Sequence, residues 1–381
     1  MLQCSIMMSA TLHEARDACP AGQSVPAPTK ECVNYLLQKM RAQASQWTRK
    51  GLRYASAAPA ARDMAGAPAA EPRPVRWLPE DASALLQLRE REAAPAQEEE
   101  QWLAGSFTHR GRTLDYRLFV PPRAGAAARP MVVMLHGCTQ DAADFAAGTR
   151  MNAQARALGA VVLYPEQNQR ANPRKCWNWF HPQHQQRGRG EPAVLAALTL
   201  AMAAEHRVDF SRIYVAGLSA GGAMADILGA TYPDIYAAVG VHSGLPRGSA
   251  NDVMSALAAM RSGAPGAPAP VAGPPTIVFH GDADATVHIS NGAAIIDAAL
   301  RARGLSGTQV QPLVGQTPRG QRYSHSVYRD AGGCSLAEYW QLHGAGHAWS
   351  GGHLDASHTD PAGVDATAQM LRFFLEHPRQ P

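Results

Sequence analysis

Apolar and polar positions along this chain fall into two regimes. Before about residue 100 they show little order. Segment 30–48 (KECVNYLLQKMRAQASQWT) spaces its apolar residues at helical intervals and predicts one helix. Segment 55–75, rich in Ala, Pro and Arg, reads as linker. Segment 80–100 predicts a short acidic helix ending in EAAPAQEEE. No unit repeats. Residues 1–104 are therefore expected to form an N-terminal extension or linker, partly disordered, and residues 105–381 the main folded domain.

From about residue 105 the pattern sharpens. SFTHRGRTLDYRLFVPP alternates and ends at two prolines, which predicts an edge hairpin. MVVMLHG (131–137) and AVVLYPE (160–166) are short, fully apolar strands. AADFAAGTRMNAQARALG predicts one helix and PAVLAALTLAMAAEH (192–206) another. RIYVAGLS is a strand running into a turn, with AGGAMADILGATYP as the helix after it. AAVGVHSG (237–244) and TIVFHGDAD (276–284) are further strands, the second after a Pro/Gly-rich loop at 261–275. SNGAAIIDAALRARG predicts a helix, SVYRDA and AEYWQLHG two strands, and DATAQMLRFFLEHP a closing helix. Near-continuous apolar strands alternating with helices predict an α/β fold with a mostly parallel, doubly wound sheet covered on both faces. In such sheets chemistry sits beyond the C-terminal ends of the strands.

Composition narrows the function classes. Charged residues make up 17% of the chain and the net charge is +4, spread without a basic tract. Nucleic-acid binding is therefore not expected. No run of about 18 apolar residues exists, so no transmembrane helix is predicted. The start, MLQCSIMMSATLHEARDACP, lacks a basic opening and is interrupted by His13, Glu14 and Asp17, unlike a signal peptide. Either the protein is cytoplasmic or the start codon is misplaced. Six cysteines in 381 residues are too few for a disulfide scaffold. Cys138 and Cys176 both fall on strand-end loops and would bridge if their Cα atoms came within about 7 Å. A bridge would indicate an oxidising compartment.

The strongest chemical signal is Gly217-Leu218-Ser219-Ala220-Gly221, a G-x-S-x-G set between a predicted strand and a predicted helix. Small residues on both flanks let the chain turn sharply. Such a turn exposes the Ser219 hydroxyl and offers the Ala220 amide to an oxyanion. A serine needs a base to become a nucleophile. His347, in GAGHAW after the last strand, is placed to serve. His343 precedes it, but intervening glycines argue against the helix that a zinc-binding H-E-x-x-H site requires. The base in turn needs an acid. Asp282 and Asp284 both follow the strand TIVFHG, and Asp284 is preferred, with Asp282 as runner-up. The order Ser, Asp, His is that of the α/β-hydrolase fold. A second amide donor is expected in the loop His136-Gly137-Cys138-Thr139-Gln140 and is assigned to Cys138, with His136 supporting the loop and not acting as a base. Trp177, Trp179 and Trp349 lie beside these loops and are candidate walls of an apolar substrate cleft.

At these residues the chain resembles the polyhydroxybutyrate (PHB) depolymerase family of esterases, which is similar to feruloyl and acetyl-xylan esterases. The matching pieces are LHGCTQ, YPEQN, CWNWF, VAGLSAGGAMA, VGVHSGLP, HGDADATVH and GAGHAWSGG, spanning roughly 130–352. The resemblance implies a cofactor-free, metal-free triad of Ser219, Asp284 and His347, with the Cys138 and Ala220 amides as oxyanion donors. It implies hydrolysis of short-chain hydroxyalkanoate esters, often by secreted enzymes, so an extracellular or periplasmic location stands against the missing signal peptide. The oxyanion loop precedes the nucleophile, as in the type 1 extracellular depolymerase catalytic domains. Polymer-degrading members usually carry a linker and a substrate-binding domain after the catalytic one, whereas this chain ends at HPRQP. Soluble oligomers or small esters are thus expected to be at least as suitable as crystalline polymer. Feruloyl or acetyl-xylan esters are the alternative substrates, and a non-catalytic binding protein on the same fold is the distant one.

Overall fold

The computed structural model describes residues 99–380 apart from 124, 126, 265–272 and 306. The linker segment and the helix expected at 30–48, and nearly all of the helix expected at 80–100, lie outside the described residues.

A hairpin opens the fold, β1 (Gln101–His109) with β2 (Arg112–Val120). The apolar segments then become β3 (Arg129–Leu135), β4 (Val161–Glu166), β5 (Val208–Leu218), β6 (Ala238–His242), β7 (Thr276–Gly281) and β10 (Ser335–His343). Between the last two lie β8 (Leu313–Gln316) and β9 (Arg322–Arg329). One sheet of ten strands results, in the order β1-β2-β4-β3-β5-β6-β7-β10-β9-β8. The run from β4 to β10 is parallel, and the strands outside it join antiparallel. This is the α/β-hydrolase fold.

Alternation along each central strand feeds two cores. Met131, Val133 and Leu135 of β3, with Ile213 and Val215 of β5, face one side. There they meet α3 (Gly190–Glu205), α4 (Ala220–Thr231), α5 (Val253–Ser262) and α6 (Ser290–Arg301). Val132, Met134, Tyr214 and Ala216 face the other side. That side is closed by α1 (Ala142–Thr149), α2 (Met151–Leu158) and α7 (Ala366–Glu376).

Some elements depart from the sequence pattern. The helix expected over AADFAAGTRMNAQARALG is two, because Arg150 takes a left-handed conformation (φ 56°) that ends α1 before α2 begins. Helix α5 was not expected. Its start is fixed by a capping box, in which Asp252 accepts from the Ser255 amide and the Ser255 hydroxyl accepts from the Asp252 amide. The mostly exposed strand β8 was not expected either.

Register decides where the chemistry sits. Leu135 pairs with Gly217, Leu218 with His242, His242 with Phe279, and Gly281 with Leu342. The C-terminal ends of β3, β5, β6, β7 and β10 therefore line up on one rim. Strand order reverses at β3, with β4 on one side and β5 on the other. The crevice at such a switch point is the expected ligand position.

Candidate active site

Ser219 follows β5 and has φ 59° and ψ −120°, a region that non-glycine residues rarely occupy. The turn survives because its surroundings admit nothing else. A Cβ on Gly221 would lie 2.0 Å from the Leu135 carbonyl oxygen, so helix α4 can approach β3 this closely only with glycine there. The Ser219 amide donates to the His242 carbonyl (2.9 Å), tying the turn to β6. Ala220 is the first residue of α4, and a first-turn N–H has no helical acceptor.

Asp284 and His347 meet as the sequence predicted. His347 Nδ1 lies 2.7 Å from Asp284 Oδ2, and the acid side chain is fully buried. A carboxylate only accepts, so Nδ1 carries the proton and Nε2 is left for chemistry. The other oxygen, Oδ1, accepts from the Thr286 and Val287 amides, each at 2.8 Å. Burial pushes the Asp284 carboxyl up, but the His347 contact and the two amides outweigh it and hold it below its ordinary value.

Ser219, Ala220, Cys138 and His347 all line one cavity of about 530 Å³. No hydrogen bond joins the Ser219 hydroxyl to the His347 ring among the described residues. Links of this kind commonly tighten only when substrate arrives. Leu218, Leu245, Val253, Ala256, Leu257 and Met260 give the cavity an apolar wall, much of it from α5.

The loop carrying Cys138 is held from below. His136 is fully buried, and burial pushes its pKa down, so it is neutral. Its Nε2 accepts from the Gln167 amide (3.1 Å), which leaves Nδ1 to donate to the Gly137 carbonyl (2.7 Å). That carbonyl and the Cys138 N–H share one rigid peptide plane and point oppositely. His136 thus sets the direction of the Cys138 N–H. Gln140 adds a clamp, with Oε1 accepting from the Gly137 amide at 2.9 Å.

Of the three tryptophans predicted at the cleft, only Trp179 lines the cavity, edge-to-face with Phe180 at 5.7 Å between ring centres. Trp177 and Trp349 do not. Trp177 is fully buried against His136. Trp349 is buried between Phe145 and His242 and donates through Nε1 to Thr367 (3.1 Å). Both are core side chains beneath the site. Their position on strand-end loops was readable, but the direction of the side chains was not. Asp282 does not reach His347 and pairs with His343 instead (2.9 Å).

Several residues the sequence did not single out shape the site. Glu191, in the first turn of α3, is buried and accepts from Asn178 N (2.8 Å), Asn178 Nδ2 (2.7 Å) and Gln167 Nε2 (2.6 Å). It anchors the segment that carries Trp179. Burial pushes its carboxyl up, but His184 and Asn178 outweigh that and hold it low. Lying beside an apolar helix, a lone acid such as Glu191 reads as surface in sequence. Helix α5 was signalled only by Asp252 preceding Ser255 and an Ala/Met/Leu run.

Comparison with known proteins decides the family. The model of the Esterase PHB depolymerase family matches residues 114–318. The chain belongs to that family. Ser219 and Asp284 lie inside the matched segment, and His347 lies beyond it. The chain is 34% identical over 239 residues to poly(3-hydroxyalkanoate) depolymerase C of Paucimonas lemoignei, covering 59% of this chain and 56% of that protein. It is 33% identical over 129 residues to feruloyl esterase B of Neurospora crassa, covering 33% of this chain and 42% of that one. The matches thus span about half the length of these relatives. Among solved structures, an acetyl xylan esterase from Aspergillus awamori superposes with a TM-score of 0.55 at 18% identity, over 73% of this chain and 100% of that one. That likeness supports the fold. No helix among the described residues is long and apolar enough to cross a membrane.

In this PHB depolymerase family member, Cys138 and Cys176 form a disulfide, with Cα atoms 4.2 Å apart. It ties the loop after β3 to the Trp179 segment across a sequence separation of 38. Loop-closure entropy for that length corresponds to about 4 kcal/mol. Reduction, or Cys176→Ser, is expected to lower the urea midpoint accordingly. It should also lower kcat more than it changes KM, because the Cys138 amide loses its tether. Parallel unfolding curves and steady-state kinetics with and without dithiothreitol check this.

Acid is expected to destabilise the site from beneath. Burial is the first cause that pushes His136, His242 and His280 below the ordinary 6.5, and His242 falls to about 3. His242 Nε2 accepts from the Ser350 amide (3.1 Å). Its Nδ1 then donates to the Ser243 hydroxyl (3.2 Å). Protonation would break the first of these bonds. Below pH 6.5 the unfolded chain binds protons that the folded chain refuses, so stability present above 6.5 is lost as pH falls toward about 3. For His242 this amounts to about 2 kcal/mol on going from pH 7 to pH 5. Asp226, which burial raises to about 6, works in the opposite direction. The urea midpoint should therefore be lower at pH 5 than at pH 7, and His242→Asn should flatten that dependence.

Proposed function

We propose that this chain is a serine esterase that hydrolyses short-chain hydroxyalkanoate esters through an acyl-enzyme. One observation carries the reading. A serine on a strained strand-to-helix turn shares an apolar cavity with an imidazole whose far nitrogen is bound to a buried carboxylate. In the proposed cycle His347 Nε2 takes the Ser219 proton as Oγ attacks the ester carbonyl. Asp284 holds the imidazole in the required tautomer and stabilises the imidazolium. The Ala220 and Cys138 amides stabilise the tetrahedral oxyanion, where one donor commonly contributes about 2.7–4 kcal/mol. His347 then protonates the leaving alcohol, and water repeats the steps on the acyl-enzyme. No cofactor or metal enters these steps.

The cavity supports a short acyl group. It falls in the lower part of the usual range for small-molecule sites, and among the described residues no Asp or Glu lines it. A second reading has its own support, because Trp179 and Phe180 offer an aromatic edge on which a feruloyl ring would stack. A panel of 3-hydroxybutyrate oligomers, p-nitrophenyl butyrate, methyl ferulate and acetylated xylan separates the two. The proposal expects the highest kcat/KM on hydroxybutyrate oligomers. A higher value on methyl ferulate would make this a feruloyl esterase.

The disulfide beside the cavity also supports an extracellular or periplasmic location, since such bridges persist in oxidising compartments. Recovery of the protein from the medium or periplasm in native-host fractions is the expected result. Recovery from the cytoplasm with Cys138 and Cys176 reduced would reject it.

A further inference from the structure

The two loops that carry Asp284 and His347 are joined by a second Asp–His pair outside the cavity. Asp282 Oδ2 lies 2.9 Å from His343 Nδ1, and Asp282 Oδ1 accepts from the Gly344 amide at 2.6 Å. His343 Nε2 in turn lies 2.8 Å from the Ser324 hydroxyl on β9. A carboxylate only accepts, so His343 Nδ1 carries the proton, and in the neutral ring Nε2 accepts from Ser324. Backbone bonds reinforce the contact. The Asp282 amide donates to the Leu342 carbonyl (3.0 Å) and the Ala283 amide to the Ala345 carbonyl (3.1 Å). The loops touch so closely that a Cβ on Gly281 would lie 2.2 Å from the Ala345 oxygen.

Ser324, His343 and Asp282 have the connectivity of a catalytic triad but not its setting. Ser324 lies within strand β9, with no strand-to-helix turn to present free amides, and the Gly344 amide is taken by Asp282. None of the three lines the cavity. What the chain of bonds does is fix the loop that begins at Gly344 and bears His347 against the loop that bears Asp284. Burial pushes Asp282 up, but the Gly344 amide and His343 outweigh it, so the acceptor stays ionised.

We propose that Asp282, His343 and Ser324 form a positioning strut that sets the Asp284–His347 distance. The proposal rests on the serine esterase reading. A misplacement of about 1 Å can cost a hundredfold in rate. Asp282→Ala is therefore expected to lower kcat on p-nitrophenyl butyrate between about tenfold and a hundredfold, with KM changed less than about twofold. Asp282→Asn keeps an oxygen for the Gly344 amide and should recover most of kcat. Ser324→Ala, at the far end of the strut, should lose less than Asp282→Ala.

A readout that needs no turnover separates this proposal from the esterase reading. In histidine-¹⁵N-labelled protein, the His347 Nδ1 proton should resonate far downfield. It should broaden or shift in Asp282→Ala and stay in place in Asp282→Asn. Wild-type kcat together with an unmoved resonance in Asp282→Ala would overturn the strut, as would equal losses in the Ala and Asn variants. If Asp282→Ala does not fold, Ser324→Ala decides: a shifted resonance with lowered kcat supports the strut, and an unmoved resonance with full kcat overturns it. Absence of ester turnover in the wild type would sink the esterase reading while leaving the resonance test standing.

Discussion

Replacing Ser219 by alanine is expected to lower kcat on p-nitrophenyl butyrate by on the order of 10⁶, with the fold intact. The size follows from what the residue does in the proposed cycle. Without Oγ no acyl-enzyme forms, and only the oxyanion donors and substrate binding remain to accelerate direct attack by water. Stability should barely change. Alanine is as strained as serine at φ 59°, and the hydroxyl makes no hydrogen bond among the described residues. Ser219→Gly should abolish activity equally and raise stability by about 1 kcal/mol, because glycine occupies that conformation without strain. Thermal unfolding beside single-turnover kinetics checks both halves. A loss of activity that follows a loss of folded protein would contradict the assignment.

The second large effect is expected from Asp284→Asn, a fall in kcat of about 10⁴. The amide is nearly the shape of the carboxylate. Its oxygen would keep the Thr286 and Val287 amides now bound to Oδ1. Its NH₂ would then face His347 Nδ1, which at present donates across 2.7 Å to Oδ2. Two donors cannot face each other, so the ring must take the other tautomer and place its proton on Nε2. It can then no longer accept from Ser219. The variant should stay folded with KM near wild type, and kinetics with circular dichroism test it. Activity within tenfold of wild type would mean that the Asp284–His347 pair is structural only.

Much of this arrangement is legible in the chain, and the reasons are physical. Strands β3, β4 and β5 are buried on both faces, so continuous apolar runs mark them. The Ser219 turn demands small neighbours, and Gly217, Ala220 and Gly221 announce it. The break at Arg150 is only weakly marked: Gly148 and Thr149 before it are poor helix formers, but neither glycine nor proline stands at the left-handed position itself. Strand β8 is exposed and carries no apolar rhythm. The two aspartates after β7 were ambiguous because they lie two apart on one loop. Asp282 turns to His343 of β10, Asp284 to the His347 ring, and only the fold separates those directions. The tryptophans show the same limit. Trp177, Trp179 and Trp349 all sit near the rim, yet two of them turn inward to pack on His136 and His242. Buried partners such as Glu191 and His242 were hidden for a related reason, since a polar residue that is buried and satisfied looks no different in sequence from an exposed one.

In the proposed cycle Ser219 owes its nucleophilicity to His347 held on Asp284. Fluorophosphonate labelling followed by peptide mass spectrometry tests it most directly. A single adduct on Ser219 is expected, formed rapidly in the wild type and orders of magnitude more slowly in Asp284→Asn. An adduct on another residue, or equally fast labelling of Ser219 in the Asn variant, would contradict it.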